Sequence, residues 1–271
     1  MTKTFKELEQ AGWHAKAANY DQWVAPITTQ ATERMLDAVQ VTSGSQVLDV
    51  ACGPGYGAGF AVKRGATVIG IDFAPNMVAE ATRRFPAVEF REGDAENLSF
   101  ENGTFDQVLC PFGLLHIADP DRAIAEAFRV LRPGGRYIFT VWDKPPQHEY
   151  FALVLSAVQA HGNMNVALPP APPIFRFSDA EECQKVLTTV GFVDVTVETL
   201  PLTWRAQQTQ DYLDLLYQSA VRTPMLLDYQ EAVDREKIHQ AILDGAEQFK
   251  QDDGYICNWP AVMAAGLKPG D

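Results

Sequence analysis

Cysteine is scarce in this chain, a basic patch is missing, and no long apolar run exists; each absence removes a class of protein. The four cysteines, Cys52, Cys110, Cys183 and Cys257, lie far apart, with no Cys-x-x-Cys pair and no histidine at ligand spacing. That argues against a structural zinc site and against a dense disulfide framework. No stretch approaches the roughly 18 apolar residues of a membrane span. Residues 1–10 are polar and lack the apolar segment of a signal peptide, so a reduced, cytoplasmic protein is expected. Acids outnumber Lys and Arg by 35 to 22, which leaves a net charge of -13 with the five histidines neutral. The bases are scattered singly or in pairs such as Lys63-Arg64 and Arg83-Arg84. A protein of this sign repels phosphates, so no nucleic-acid partner is expected. A chain of 271 residues, 46% of them hydrophobic, can build a sizeable core without such staples.

What is present is an alternation of short apolar stretches and helical ones. Residues 46–51 read as a strand interrupted only by Asp49. A glycine-rich turn, Cys52-Gly53-Pro54-Gly55-Tyr56-Gly57, leads into a helix reaching residue 64. A second strand covers 67–72, and Pro75 stands where the first turn of a helix to residue 84 tolerates it. Strands follow at 88–91 and 105–110. Ile124, Ala127, Phe128 and Leu131 mark one face of a helix at 121–131, and Pro133-Gly134-Gly135 ends it before a fifth strand at 136–142. Strands joined by helices imply right-handed crossovers and a parallel sheet, whose ligands bind at the carboxyl ends of the strands.

The remaining segments depart from that rhythm. Residues 1–40 read as a helical cap carrying Trp13, Tyr20 and Trp23, with a second helix over about 29–39. Proline-rich 144–176 and helical 206–254 read as cap insertions. Ser178 with Glu181 spells a capping box for a helix that ends at Gly191. Residues 192–205 and 256–267 read as C-terminal strands. The expected organisation is a single domain over 1–271 with its core at 41–143.

Two motifs carry chemistry first. Glycines after a strand let the backbone turn sharply and approach a ligand, although a glycine-rich turn also serves ordinary loops. Asp72 ends the second strand 19 positions after Gly53, well placed to accept from two ribose hydroxyls; the alternative is a helix N-cap near Pro75. Asp49 is an acid inside an apolar strand, and burying a carboxylate without a partner is costly. Gly53, Gly55 and Ala58 also satisfy the G-x-G-x-x-G/A pattern of nicotinamide enzymes. A dehydrogenase would not need the further motifs that follow, which weighs against that reading.

Those motifs are Gly70-Ile71-Asp72-Phe73-Ala74-Pro75-Asn76-Met77, Gly93-Asp94-Ala95-Glu96, Phe105-Asp106-Gln107-Val108, Leu114-Leu115-His116 and Leu131-Arg132-Pro133-Gly134-Gly135, after Leu48-Asp49-Val50-Ala51-Cys52-Gly53-Pro54-Gly55. In this order and spacing they resemble the class I S-adenosylmethionine-dependent methyltransferases, in the broad group that includes the ubiquinone/menaquinone-biosynthesis enzymes. The resemblance covers about residues 45–142, with a weaker match through Gly191-Phe192. It implies an α/β fold, a Rossmann-like seven-stranded, mostly parallel sheet with helical caps. It also implies S-adenosyl-L-methionine as cofactor and S-adenosyl-L-homocysteine as product.

By the same resemblance, the backbone around Ala51, Gly53 and Gly55 would pass under the methionine part. Asp49 would orient that loop and approach the amino group. Asp72 would hold the ribose, with Phe73 and Met77 beside the adenine. Asp94 would accept from the adenine amino group, and the Ala95 amide would reach a ring nitrogen. Cys110, Pro111 and Phe112 would border the methionine and the transferred methyl, with Cys52 and Cys110 as small buried hydrophobes rather than nucleophiles. Tyr20 would close over the methionine end, or else staple the first helices.

Methyl transfer from a sulfonium needs placement above all, and a base only if the acceptor must lose a proton. His116, after the fourth strand, is the candidate base; a structural hydrogen bond on a loop turn is the alternative. No metal is expected, because Leu109-Cys110-Pro111 carries no acid and Asp143 stands alone. Cap residues Phe151, Leu153, Phe175, Phe177, Trp204, Tyr212, Leu216 and Tyr217 are candidates to wall the site of a small hydrophobic or aromatic acceptor. A homodimer through the cap helices is compatible with the sequence, as is a cofactor-binding protein without catalysis.

Overall fold

The structure, a computed structural model, describes residues 3–270. Its strands in chain order are β1 (Gln46–Val50), β2 (Thr67–Asp72), β3 (Glu89–Glu92), β4 (Phe105–Pro111), β5 (Leu131–Trp142), β6 (Val193–Leu200), β7 (Thr203–Ala206), β8 (Lys250–Gln251), β9 (Gly254–Asn258) and β10 (Ala261–Leu267). The helices of the N-terminal cap are α1 (Phe5–Lys16), α2 (Tyr20–Trp23), α3 (Ala25–Thr28) and α4 (Thr32–Ala38). Those of the core are α5 (Tyr56–Lys63), α6 (Pro75–Arg84) and α7 (Pro120–Val130). Beyond them come α8 (Glu149–His161), α9 (Ala180–Val190), α10 (Gln210–Ser219), α11 (Arg222–Asp228) and α12 (Ala232–Ala246).

Seven strands form one sheet in the order β3-β2-β1-β4-β5-β10-β6. The first five pair in parallel, and β10 runs antiparallel between β5 and β6. The expected Rossmann-like, mostly parallel architecture is therefore present. β1 and β4 are buried on both faces, which is why they read as nearly continuous apolar runs. Side chains alternate between two cores: Val47, Leu109, Ile138 and Met263 face α4, α5 and the caps, while Leu48, Val108, Phe139 and Val262 face α7 and α9. The strand order reverses between β1 and β4, so a crevice opens outside their carboxyl ends.

The C-terminal part corrects the sequence reading. The stretch 192–205 is two strands, β6 in the main sheet and β7 in a separate three-stranded sheet ordered β7-β9-β8. The stretch 256–267 divides the same way into β9 and β10. Pro201 and Pro260 stand at the two breaks, where a residue without an N–H cannot continue a ladder. The breaks are tied together by Trp259 N donating to Leu202 O at 2.9 Å. The capping box at Ser178 and Glu181 is also displaced by one residue. Asp179 caps α9, accepting from Glu181 N at 2.9 Å, while Ser178 Oγ donates to Phe175 O at 2.7 Å in the preceding turn. Among the described residues no helix is long and apolar enough to cross a membrane.

Candidate functional site

The crevice holds two adjoining chambers, one of about 130 Å³ and one of about 30 Å³. Ala51, Phe73, Gly113 and His116 wall both. After β1 the chain turns through Ala51 at φ 52°, Gly53 at φ 52° and Gly55 at φ 83°. Left-handed backbone is costly for a residue with a side chain. Ala51 keeps it because the loop after β4 faces it with Gly113, where a Cβ would stand 2.5 Å from the Ala51 methyl. On that same loop Phe112 is also left-handed, at φ 53°. The two strained positions thus meet at the reversal point of the sheet.

Two buried carboxyls hold this turn. Asp49 has no exposed surface; Oδ2 accepts from Ala58 N at 2.7 Å in the first turn of α5, and Oδ1 has no partner among the described residues. Burial pushes its pKa up to about 7, and the charge of Asp72 adds to the push. Asp72 accepts from Gly53 N at 2.8 Å through Oδ2 and from Ala74 N at 2.9 Å through Oδ1. Burial raises it to about 6 against the opposing pull of those bonds. Asp72 thus clasps the glycine turn with one oxygen and holds the start of α6 with the other, where the N-cap, Ala74, has no capping side chain of its own. Among the described residues no Lys or Arg side chain pairs with either of these buried acids.

Asp94 and Ala95 lie at the smaller chamber with Phe73. Asp94 Oδ1 accepts from Glu96 N at 3.0 Å, and Oδ2 pairs with Lys6 Nζ at 2.7 Å. α1 therefore roofs this end, and Gln10 Nε2 strengthens the contact by donating to Phe73 O at 2.7 Å. Tyr20, Met77 and Pro111 wall the larger chamber. Tyr20 Oη lies 3.4 Å from Thr28 Oγ1. Asp49, Gly55 and Cys110 stand behind the wall as supports. Cys110 packs in the core on the far side of Gly113, and burial pushes its thiol up to about 12. All four cysteines are buried and free. Among the described residues no group of three or more His, Cys, Asp or Glu side chains could hold a metal ion.

His116 closes a turn after β4, and its Nδ1 lies 2.9 Å from Glu9 Oε2. Its ring meets the Trp13 ring edge-on, with centroids 4.8 Å apart. Glu9 was not singled out from the sequence, although a signal exists: Phe5, Glu9 and Trp13 recur every four residues on the buried face of α1. An acid on an apolar stripe asks for a partner.

The far end of the larger chamber is aromatic. Phe112 and Trp142 lie 4.1 Å apart by centroid, and Tyr150 and Trp259 4.6 Å. Of the eight cap residues expected there, Phe151 and Leu216 reach the wall. Trp204 and Tyr212 sit in the cap's own core, and Phe177 packs on Phe139 across the sheet. Tyr217 bonds His239 at 2.7 Å, Leu153 fills the space beside Gly245, and Phe175 meets the Phe151 ring edge-on. Trp142, Tyr150 and Trp259 take their place, drawn from the end of β5, the start of α8 and the break before β10. His148 is buried among them; its Nδ1 accepts from Phe151 N at 3.3 Å, and burial lowers its pKa to about 3, so the ring is neutral.

Residues 48–139 match the methyltransferase-domain family. The chain is 31% identical over 175 residues to a demethylmenaquinone methyltransferase of Renibacterium salmoninarum, which covers 61% of this chain and 74% of that protein. A demethylmenaquinone methyltransferase of Paenarthrobacter aurescens is 30% identical over 175 residues, 61% of this chain and 69% of that protein. The solved structure of YcgJ from Bacillus subtilis superposes with a TM-score of 0.61 at 19% identity, covering 89% of this chain and 99% of that one.

Proposed function

Because the chain belongs to the class I S-adenosylmethionine-dependent methyltransferases, in the group of the demethylmenaquinone methyltransferases, we propose that it methylates a small hydrophobic aromatic acceptor, a reduced demethylmenaquinone-type quinol being the first to test. The observation that carries this reading is one continuous chamber with a bare glycine turn at one end and an aromatic wall at the other. A quinol ring fits an apolar wall of this kind, since aromatic faces pack at such separations.

The residues present fit the cofactor. A Cβ on Gly53 would find nothing within 4 Å, so the turn leaves open backbone above it. The unpartnered Asp49 Oδ1, just behind the wall, would serve an ammonium group through water. Asp72 keeps free lone pairs that would serve the ribose hydroxyls, Phe73 would flank the adenine, and Asp94 and Ala95 would meet its edge. Tyr20 covers the methionine end. When bound, the cofactor supplies a methyl group on a sulfonium that departs as a neutral thioether. The protein's work is placement, which supplies roughly 7–11 kcal/mol of such a barrier. His116 Nε2 takes the proton of the acceptor hydroxyl.

Calorimetry with S-adenosylmethionine followed by mass spectrometry of products tests this. The acceptor panel is a reduced short-chain demethylmenaquinone, simple phenols and amines. Cofactor binding and a mass gain of one CH₂ on the quinol are expected. Binding without transfer to any member of the panel would leave a cofactor-binding protein and remove the quinol assignment.

A further inference from the structure

We propose that Glu9 is the positioning residue that makes His116 a base: α1 delivers a carboxylate that holds the imidazole in its Nδ1–H form and matches the charge the ring acquires. This rests on the methyl-transfer reading above and deepens it. Glu9 has no exposed surface, and its neighbours on the buried stripe of α1 are Phe5 and Trp13. Carrying a carboxylate into such a place is costly, and an apolar side chain of similar size would pack there at less cost. Among the described residues it accepts one hydrogen bond, at Oε2 from His116 Nδ1 at 2.9 Å, while Oε1 has no partner there. Arg222 acts on Glu9 only through its field, and Asp72 acts on His116 in the same way. The acid therefore has a single directional task.

That task decides which nitrogen is basic. With Nδ1–H committed to the carboxylate, Nε2 carries the lone pair. Nε2 makes no hydrogen bond with any described residue, and the ring walls both chambers. In the step, the acceptor's O–H bond breaks, its electron pair stays on the acceptor as the nucleophile, and an N–H bond forms at Nε2. The resulting imidazolium faces Glu9 and later releases the proton to solvent through the partly exposed ring, whose side chain is 19% accessible.

Nitrogen-15 NMR of the histidine rings of the full chain at pH 8, with and without Glu9, tests the assignment. The unaltered protein is expected to show His116 as the Nδ1–H tautomer, and Glu9→Leu to lose that bias. Glu9→Gln is expected to lower turnover of the reduced short-chain demethylmenaquinone roughly 10-fold or more, with the cofactor Kd unchanged and partial recovery in Glu9→Asp. An Nε2–H tautomer in the unaltered protein overturns the proposal without need of any variant. So does a Glu9→Leu protein that keeps both the tautomer and the turnover. If the unaltered protein binds no cofactor or methylates nothing, the methyl-transfer reading fails instead, and the tautomer result shows this separately.

Discussion

Gly53 and Gly55 are two residues apart and are glycine for different reasons. At Gly55 a Cβ would stand 2.6 Å from the Phe90 ring and 3.1 Å from the Ala81 methyl, besides the left-handed φ of 83°. At Gly53 only the φ of 52° objects, since nothing lies within 4 Å. Gly55→Ala is therefore expected to destabilise the fold by about 1–3 kcal/mol or more. Gly53→Ala is expected to cost about 1–2 kcal/mol but to weaken S-adenosylmethionine binding at least about 10-fold, since 1.4 kcal/mol of lost contact is a factor of ten. Thermal unfolding and calorimetry on the pair separate the two effects; normal cofactor binding by Gly53→Ala would remove the cradle. The acids beside them set a pH dependence. Asp49 and Asp72 are raised to about 7 and about 6, so the ligand-free fold favours their protonated forms. Their contribution to ligand-free stability is full below about pH 4 and declines as pH rises through those values. A cationic ligand favours the ionised forms. Cofactor binding is thus expected to release protons and to tighten from pH 5 to 8, levelling above about pH 7. Calorimetry in buffers of different ionisation heat measures this. An affinity that does not change with pH, or one that weakens as pH rises, contradicts it.

Among elements, the start of α9 is the clearest case of a local signal read one residue off. Ser-x-x-Glu is a sound capping pattern, but the chain makes a 3₁₀ turn at Arg176–Ser178 first. Asp179 then takes the cap. Asp179→Ala is expected to lower stability by about 1 kcal/mol, in the usual range for a lost N-cap. Ser178→Ala removes a bond within a turn and is expected to cost less. Chemical denaturation that ranks the two in reverse order would restore the cap to Ser178. α1 shows the complementary limit. Phe5, Glu9 and Trp13 recur at helical spacing, yet what Glu9 faces depends on a turn 107 positions further along the chain.

At the scale of the whole molecule the site has two separable ends. The parallel half of the sheet supplies the cofactor end, and the aromatic end is assembled from the end of β5, α8 and the break before β10. Trp142→Leu is expected to raise the KM for a quinol acceptor about 10-fold while leaving the cofactor Kd unchanged, because a lost aromatic contact of this kind is worth roughly 1 kcal/mol or more. Equal loss of both affinities would show that the ends are not independent. The parallel core was legible because β1, β2, β4 and the turns between them carry their signals within a few residues. Asp72 and Gly53, 19 positions apart, stand out from the sequence as parts of one ligand-binding pattern, and the fold joins them directly by a hydrogen bond. The aromatic wall was not legible. Composition marked the caps as aromatic, but Trp204 and Phe151 have the same sequence signature and only one of them reaches the chamber.

By itself the sequence determined the strand and helix periods, the glycines that turn sharply after β1, and the acids at the strand ends. These depend on local sterics and on apolar spacing. The tertiary structure alone decided that 192–205 and 256–267 each cross between two sheets, which aromatic residues face the chamber, and that Glu9 meets His116. Those outcomes depend on contacts between segments separated by tens to hundreds of residues. No local preference encodes which of several similar side chains will be the one enclosed.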